Sequence, residues 1–464
     1  MAQHWIFYPC SCRGAGYRYF HYITIMPLFL DDTTLMDLSI FDAREGNSIF
    51  SRFNSTRTQG GERYLQHYFT NPFSDLKTIR AVQSLIATLA LRVDCWPTEI
   101  GNGTVFIMEK FLKYRFTHFN ASMHFLDRLT YRVIERDDYS MLTFSTKVFG
   151  DFFRGIRKVH SIVRAVSLPV QYRYIQEKMD SLLAIEAITT LANTEANHAF
   201  SSKEIFYYCF HLLRLRSDIH NLMDIYYRLE AWFSMAKGVN NYGLTFPEFV
   251  EREEPYLDVK GLYHLMVEGP KSCDVLLDQK QRLMFLTGSN MAGKSTLIKA
   301  IGLSIYLSHL GMGVPAAAMK LSTFEGLSTN IQIADDVTKG QSYFFKEVLR
   351  VKETIGKIKS GKKWMILVDE LFKGTNIIDA MQCSIDVIDG FSKVRNALFV
   401  ISTHLYEIAA SLRHVESVTF KHMETVVEGD KFRFTYQMID GISNERIGHR
   451  IMKQEGVIEM LQEL

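Results

Sequence analysis

The sequence predicts an α+α/β protein, an all-helical region followed by a layered α/β domain. Three observations carry this expectation. The 68 residues from Val170 to Lys237 contain neither Gly nor Pro, so long helices can run there without a breaker. After Gly238, short apolar runs bounded by turn residues appear: Leu283 to Thr287, Trp364 to Val368 and Ala397 to Ser402. Helical patterns lie between them, as expected for buried strands in a covered sheet. The length of 464 residues, at roughly 150 per domain, allows two or three domains with real cores.

Composition narrows the class. Hydrophobic residues make up 47% and charged residues 22%, which excludes wholesale disorder. No stretch approaches the roughly 18 uninterrupted apolar residues of a membrane span, so no membrane partner is expected. Lys and Arg number 53 against 51 Asp and Glu, and this balance leaves nucleic acid open, because a basic face can hide inside a neutral total. Cys10, Cys12, Cys95, Cys209, Cys273 and Cys383 are too scattered for a disulfide framework. Cys10 and Cys12 form the one close pair, with no second pair to complete a zinc site. A reduced, cytoplasmic protein is the expectation.

At the N-terminus, residues 22–30 form an apolar run behind Arg13 and Arg18, loosely imitating a secretion signal. Pro27 interrupts it, and Asp31-Asp32 stands where a small-residue cleavage site belongs. Residues 1–25 are therefore read as an extension or a disordered leader, with a start at Met26. Residues 26–250 form the helical domain. Within it, residues 51–150 carry 13 Lys/Arg against 9 Asp/Glu, with many aromatics, punctuated by Pro72, Pro97 and Gly101-Asn102-Gly103. Further on, Ile205, Tyr208, Leu212, Leu215, Ile219, Leu222, Tyr226, Leu229 and Phe233 recur at 3–4 spacing. That stripe predicts one helix of at least 29 residues, about 43 Å long. A bundle core is the ordinary reading of such a stripe and a lever between distant sites the sharper one; periodicity alone does not separate them. The change of texture near Pro247 and Pro255 places the boundary at residues 245–255, leaving 251–464 as the α/β domain with a short helical tail.

The strongest chemical signal is Gly288-Ser289-Asn290-Met291-Ala292-Gly293-Lys294-Ser295, a full G-x-x-x-x-G-K-[ST] match between an apolar strand and a helical run, Leu297 to Leu310. Such glycines let backbone N–H groups curl around phosphates, Lys294 reaches the β- and γ-phosphate oxygens, and Ser295 offers its hydroxyl to Mg²⁺. Asp369-Glu370 ends a second apolar strand, 75 residues after Lys294. There Asp369 can hold the Mg²⁺ shell while Glu370 polarises an attacking water. A third strand ends in Ser402-Thr403-His404; His404 could sense a γ-phosphate or water, or be an ordinary hydrogen-bonded histidine. ATP and Mg²⁺ are the cofactors this pattern calls for.

The spacing suits an ABC-type P-loop ATPase, and the motifs resemble those of the MutS family of DNA mismatch repair proteins. Thr287 to Thr296 is similar to T-G-P-N-M-G-G-K-S-T, departing at Ser289 and Ala292. Thr329 to Phe344, with Asp335-Asp336, Gly340, Ser342 and Phe344, resembles the family's signature segment. Asp369 to Asp379 resembles D-E-x-x-R-G-T-S-T-x-D with Lys373 for Arg, and Thr403 to Glu407 resembles T-H-Y-x-E. In the helical half, Thr56 to Leu65 is similar to T-x-T-x-x-G-x-R-x-L, followed by Asn71-Pro72-Phe73, and Tyr242 to Pro247 resembles the close of the lever region.

The resemblance implies a helical lever and core domain fused to the ATPase, working as a homodimer on double-stranded or branched DNA, with repair proteins as further partners. It implies nucleotide contacts at Gly288, Asn290, Gly293, Lys294, Ser295 and Thr296, and Mg²⁺ at Ser295 and Asp369. Hydrolysis would fall to Glu370 and His404, and Ser342 would reach the γ-phosphate in trans across the dimer. Lys339 and Phe372 depart from the family's smaller residues. The likeness begins near residue 30, so a short form without the N-terminal mismatch-recognition domain is expected. Phe246-Pro247-Glu248 fits the letters of that domain's F-x-E motif, but it sits at the junction and is read as coincidence. DNA contact would then fall to Lys110, Lys113, Arg115, Arg128 and Arg132, by phosphate and shape, unless these form only a solvated helix face. An ATP-gated scaffold without DNA contact is the rival reading. A transporter subunit is disfavoured by the lack of an L-S-G-G-Q segment.

Overall fold

The computed structural model describes residues 27–41, 47–116, 124–165, 168, 172–331, 343–428, 431–443, 452–453 and 456–462. The extension expected at 1–25, and Asp335, Asp336, Lys339, Gly340 and Ser342, lie outside these residues.

The first four helices begin where a short polar side chain replaces a missing acceptor. The helices α1 (Asp32–Asp37), α2 (Ile49–Phe53), α3 (Gln59–Thr70) and α4 (Leu76–Ala90) follow Asp31, Ser48, Thr58 and Asp75, each accepting a backbone N–H three residues on. Then come α5 (Asn102–Lys113), α6 (Phe125–Ile134), α7 (Arg136–Arg164), α8 (Arg173–Leu183), α9 (Glu186–Asn193), α10 (Ser202–Arg214) and α11 (Arg216–Asn241).

The continuous helix expected over 205–233 is two helices. Leu215 leaves helical geometry at φ −90°, ψ 14°, between α10 and α11. The stripe itself is buried along both helices, Leu215 alone being half-exposed. Upstream, the Gly- and Pro-free run is broken by a capping box, in which Ser201 Oγ accepts from Glu204 N at 3.3 Å and the Glu204 carboxylate accepts from Ser201 N at 2.7 Å.

The family-like segment Thr56 to Leu65 owes its shape to one buried carboxylate. Glu230, on α11, accepts from Arg57 N at 2.9 Å and from Thr58 Oγ1 at 2.5 Å. A Cβ on Gly61 would come within 2.0 Å of that carboxylate, so only glycine lets α3 approach. Burial pushes the Glu230 carboxyl up, against the hydrogen bonds that hold it ionised.

The second half contains β1 (Glu248–Phe249), β2 (Leu257–Leu262), β3 (Cys273–Leu277), β4 (Leu283–Thr287), α12 (Lys294–His309), β5 (Ala318–Leu321), β6 (Gly326–Asn330) and α13 (Tyr343–Ile358). It continues with β7 (Trp364–Asp369), α14 (Ile377–Ser392), β8 (Ala397–Ser402), α15 (Ile408–Leu412), β9 (Val418–Glu428), β10 (Lys431–Asp440) and α16 (Val457–Gln462). The main sheet has the order β10-β9-β4-β8-β7-β6, parallel except for β10. A smaller sheet runs β1-β5-β2-β3. The strands β4, β7 and β8 are buried throughout. Their alternate residues serve two cores. Met284, Leu286, Met365, Leu367, Leu398 and Val400 join α12 and the helical half in one apolar core. Leu283, Phe285, Ile366, Val368, Phe399 and Ile401 meet α14 and α15 on the other face.

The two halves are also joined by polar contacts. The Tyr306 hydroxyl donates to Phe69 O, and Phe73 N donates to His309 O at 2.9 Å. His309 Nε2 accepts from Phe324 N at 3.3 Å, so Nδ1 carries the proton and donates to Phe73 O at 2.6 Å. At the far edge of the sheet, Phe29 bridges β6, and Asp37 accepts from Thr329 Oγ1 at 2.6 Å and Ile331 N at 2.9 Å. No helix among the described residues is long and apolar enough to cross a membrane.

Two stability predictions come from these buried groups. Glu230→Ala strands the Arg57 N–H and the Thr58 hydroxyl, and should cost about 2–4 kcal/mol, read from the urea unfolding midpoint. Burial holds His309 down at about 4 against its ordinary 6.5. Between those values the unfolded chain binds the proton and the folded chain does not, so this contribution is intact above pH 6.5 and is lost as pH falls toward 4. The loss is up to about 3 kcal/mol, and in His309→Gln the pH dependence of unfolding should flatten over that window.

Candidate functional site

The side chains singled out in the sequence meet at the C-terminal ends of β4, β7 and β8. Between β4 and α12 the chain turns through Gly288 at φ +139°, Met291 at φ +71° and Gly293 at φ +101°. A Cβ on Gly288 would lie 3.1 Å from Met423 O, so the loop needs glycine there for space as well as for conformation. Lys294 is buried and folds back over the loop, its Nζ donating to Gly288 O at 2.8 Å and Ser289 O at 3.1 Å. Burial lowers its pKa, opposed by the carboxylates of Glu370 and Asp369. At the two departures from the family pattern, Ser289 Oγ lies 3.0 Å from Thr425 Oγ1 on β9, and Ala292 is fully buried. Asn290, Ser295 and Thr296 are exposed on the outer side of the loop and the first turn of α12.

Asp369 closes β7 in register with Ser402, which closes β8. Its carboxylate accepts from both the Ser295 and Ser402 hydroxyls. Next in the chain, Glu370 takes φ +57°, and its backbone N–H donates to Ser402 O at 3.1 Å. The Glu370 side chain pairs with Lys373 Nζ at 2.6 Å. His404 is exposed, in a turn fixed by Thr403 N donating to Leu286 O at 3.0 Å and Leu405 N donating to Thr403 Oγ1 at 3.0 Å.

Two neighbours were missed by sequence reasoning. Glu347, on α13, is buried and accepts from the N–H groups of Lys373 and Gly374. Tyr436, at the irregularity in β10, takes φ +58° with its ring half-exposed beside the loop, where a Cβ on Gly293 would lie 3.4 Å from its Cδ1. Ser342 lies outside the described residues.

The arrangement suits a phosphate-bearing ligand. A helix N-terminus, a turned backbone and a desolvated ammonium face the same loop. Ser295 and Asp369 supply touching hard oxygen donors, which fit Mg²⁺. Among the described residues no group of three or more His, Cys, Asp or Glu could hold a metal.

The basic residues proposed for DNA lie elsewhere. Lys110 and Lys113 are exposed on the last turn of α5, Arg115 follows them, and Arg128 and Arg132 sit one turn apart on α6. Asp138 ties this end together, accepting from the hydroxyls of Tyr114 at 2.7 Å and Tyr131 at 3.0 Å. Lys113 pairs with Glu109 at 3.0 Å, and the Arg132 guanidinium lies 5.7 Å from the centre of the Tyr139 ring.

Residues 284–462 match the family model of MutS domain V. The chain is similar to DNA mismatch repair protein MutS of Shouchella clausii (strain KSM-K16), 29% identical over 294 residues, covering 61% of this chain and 32% of that protein. The protein of the same name from Petrotoga mobilis (strain DSM 10674 / SJ95) is 25% identical over 327 residues, covering 68% and 39%. That of Streptococcus sanguinis (strain SK36) is 31% identical over 192 residues, covering 41% and 22%. The chain thus spans about a third of the length of the curated relatives it matches. The match to MutS domain V runs from β4 through the loop and the strand ends that carry Asp369 and Ser402.

Proposed function

We propose that this chain is an ATP-dependent DNA-binding protein of ABC-type P-loop architecture. It would hydrolyse ATP to ADP and phosphate at composite dimer sites, coupling this to DNA binding in mismatch repair or a related DNA-maintenance process. The observation that carries the reading is the convergence of Lys294, Ser295 and Asp369 at one strand–loop–helix junction. Residues 251–464 are the ATPase domain in this reading, and 26–250 the lever and core.

In this reading the backbone from Gly288 to Gly293, with Asn290 and Thr296, cradles the phosphates of ATP. Lys294 has already lost its water, so its charge acts on the phosphates without solvent rearranging first. Ser295 and Asp369 would hold Mg²⁺, which would supply neutralisation of charge on the phosphate oxygens. Glu370 orients the attacking water and accepts its proton, while Lys373 fixes the carboxylate's position. His404, exposed at the end of β8, contacts the γ-phosphate side. Ser342 of a second copy completes the site in trans, which makes a homodimer the working unit. The cytoplasm, in association with the nucleoid, is the proposed location.

A second reading, an ATP-gated scaffold for a protein partner, is favoured by one observation. Leu126, Leu129 and Val133 form an exposed apolar stripe on α6, the same helix that carries Arg128 and Arg132. Phosphates would gain nothing from that stripe. ATP turnover measured against homoduplex, mismatched and branched DNA separates the two: stimulation supports the first, and indifference to all three supports the second.

Lys294→Ala should abolish binding of a fluorescent ATP analogue, whereas Glu370→Ala should bind it and release phosphate roughly 10²–10³-fold more slowly. Equal loss of binding in both would contradict the roles assigned. On DNA, contacts from Lys110, Lys113, Arg115, Arg128 and Arg132 would be to phosphates, so affinity should fall steeply with salt. A G·T mismatch and its homoduplex should bind this chain within about tenfold of each other, about 1.4 kcal/mol. A larger mismatch preference in a filter-binding titration would require a base-reading element.

A further inference from the structure

The loop between β7 and α14 holds two residues, Glu370 and Phe372, at φ +57° without being glycine. Such geometry persists only when neighbours fix it. At one end, Glu370 N is tied to Ser402 O at 3.1 Å. At the other, Asn376 Oδ1 caps α14 by accepting from Asp379 N at 3.0 Å. Between these ends the polar anchor is Glu347. One of its carboxylate oxygens accepts from Lys373 N at 3.1 Å and the other from Gly374 N at 3.2 Å. The Phe344 ring, one helical turn earlier, lies 5.6 Å from the Phe372 ring.

Glu347 itself is nearly inaccessible, at 2% exposure. Burial raises its pKa, while the two N–H groups and the Lys373 charge favour the ionised form. A buried carboxylate spent on two loop amides is a costly arrangement unless the loop's position matters.

The geometry points to Glu347 as a positioning residue for ATP hydrolysis, fixing the Lys373 backbone so that the Lys373 ammonium holds the Glu370 carboxylate; this rests on the ATPase reading above. The linkage runs from α13 through two amides to Lys373, and through the 2.6 Å ion pair to Glu370. Glu347 touches neither substrate nor water in this scheme. It acts through Glu370, and its removal therefore affects turnover and not nucleotide affinity.

The test is a double-mutant cycle on the full chain, reading kcat, KM for ATP and analogue affinity. Glu347→Ala should lower kcat by roughly 10- to 100-fold with KM and affinity changed by less than about threefold. Glu347→Gln keeps one acceptor oxygen and should recover part of the loss; it also serves if the alanine variant fails to fold. In a Glu370→Ala background, Glu347→Ala should change kcat little further, because both act through one carboxylate. Hydrogen exchange at the Lys373 and Gly374 amides, slow in the parent protein, should accelerate in Glu347→Ala. Unchanged kcat in Glu347→Ala, a loss confined to KM, or full multiplicative loss in the double variant would each overturn the inference while leaving the ATPase reading intact. A parent chain that neither binds nor turns over ATP would overturn the ATPase reading instead, and the amide exchange would then show only that the loop is anchored.

Discussion

The fold depends on where the two ends of α12 are fixed. Its first residue, Lys294, folds back onto the loop carbonyls, and its last, His309, is hydrogen-bonded to the helical half and to the turn before β6. Sixteen residues at about 1.5 Å each separate those ends by roughly 24 Å. Between them the helix is buried on nearly every side, with Ile298, Ile301, Ile305 and Tyr306 in the core that also contains α3, α4 and α11. A neutral, doubly bonded histidine at the far end leaves no room for a shift in register: sliding the helix by one residue would strand both ring nitrogens and the Phe73 amide.

That constraint places the site. Parallel strands point their C-terminal ends one way, so fixing α12 against β4 and packing β7 and β8 alongside brings Thr287, Asp369 and Ser402 to one rim. The rim is polar against a buried sheet, and its groups satisfy one another: Ser295 and Ser402 both donate to Asp369. Backbone strain gathers at the same rim, at Met291, Glu370 and Phe372, where neighbouring elements hold it.

How much of this was legible follows from the range of each interaction. The strands β4, β7 and β8 are short apolar runs closed by a polar residue and bounded by turn residues, so their limits could be read to within a residue. The glycine-lysine-serine loop was legible because its chemistry is local. The break at Leu215 was not, since no Gly or Pro marks it and the apolar spacing continues across it. The capping box at Ser201 and Glu204 was present in the letters and went unread. Glu347 and Tyr436 were invisible for another reason. Their roles are set by residues 26 and 143 positions away, Lys373 and Gly293, and no periodicity encodes such pairings.

The break at Leu215 also changes how the helical half can respond to the site. A single rod over 205–233 would carry a rotation at one end directly to the other. With α10 and α11 separate, a displacement of α12 reaches α11 first, through its packing against α3 and α4. Beyond α11, packing continues through α8 to α7, against which α10 also packs. The end that carries Arg128 and Arg132 is itself braced, because Asp138 binds Tyr114 and Tyr131 and so locks α5 and α6 to the start of α7. Close-packed interiors transmit strain between the parts they join. The far end is thus coupled to the site by side-chain packing between helices and not by one continuous helix.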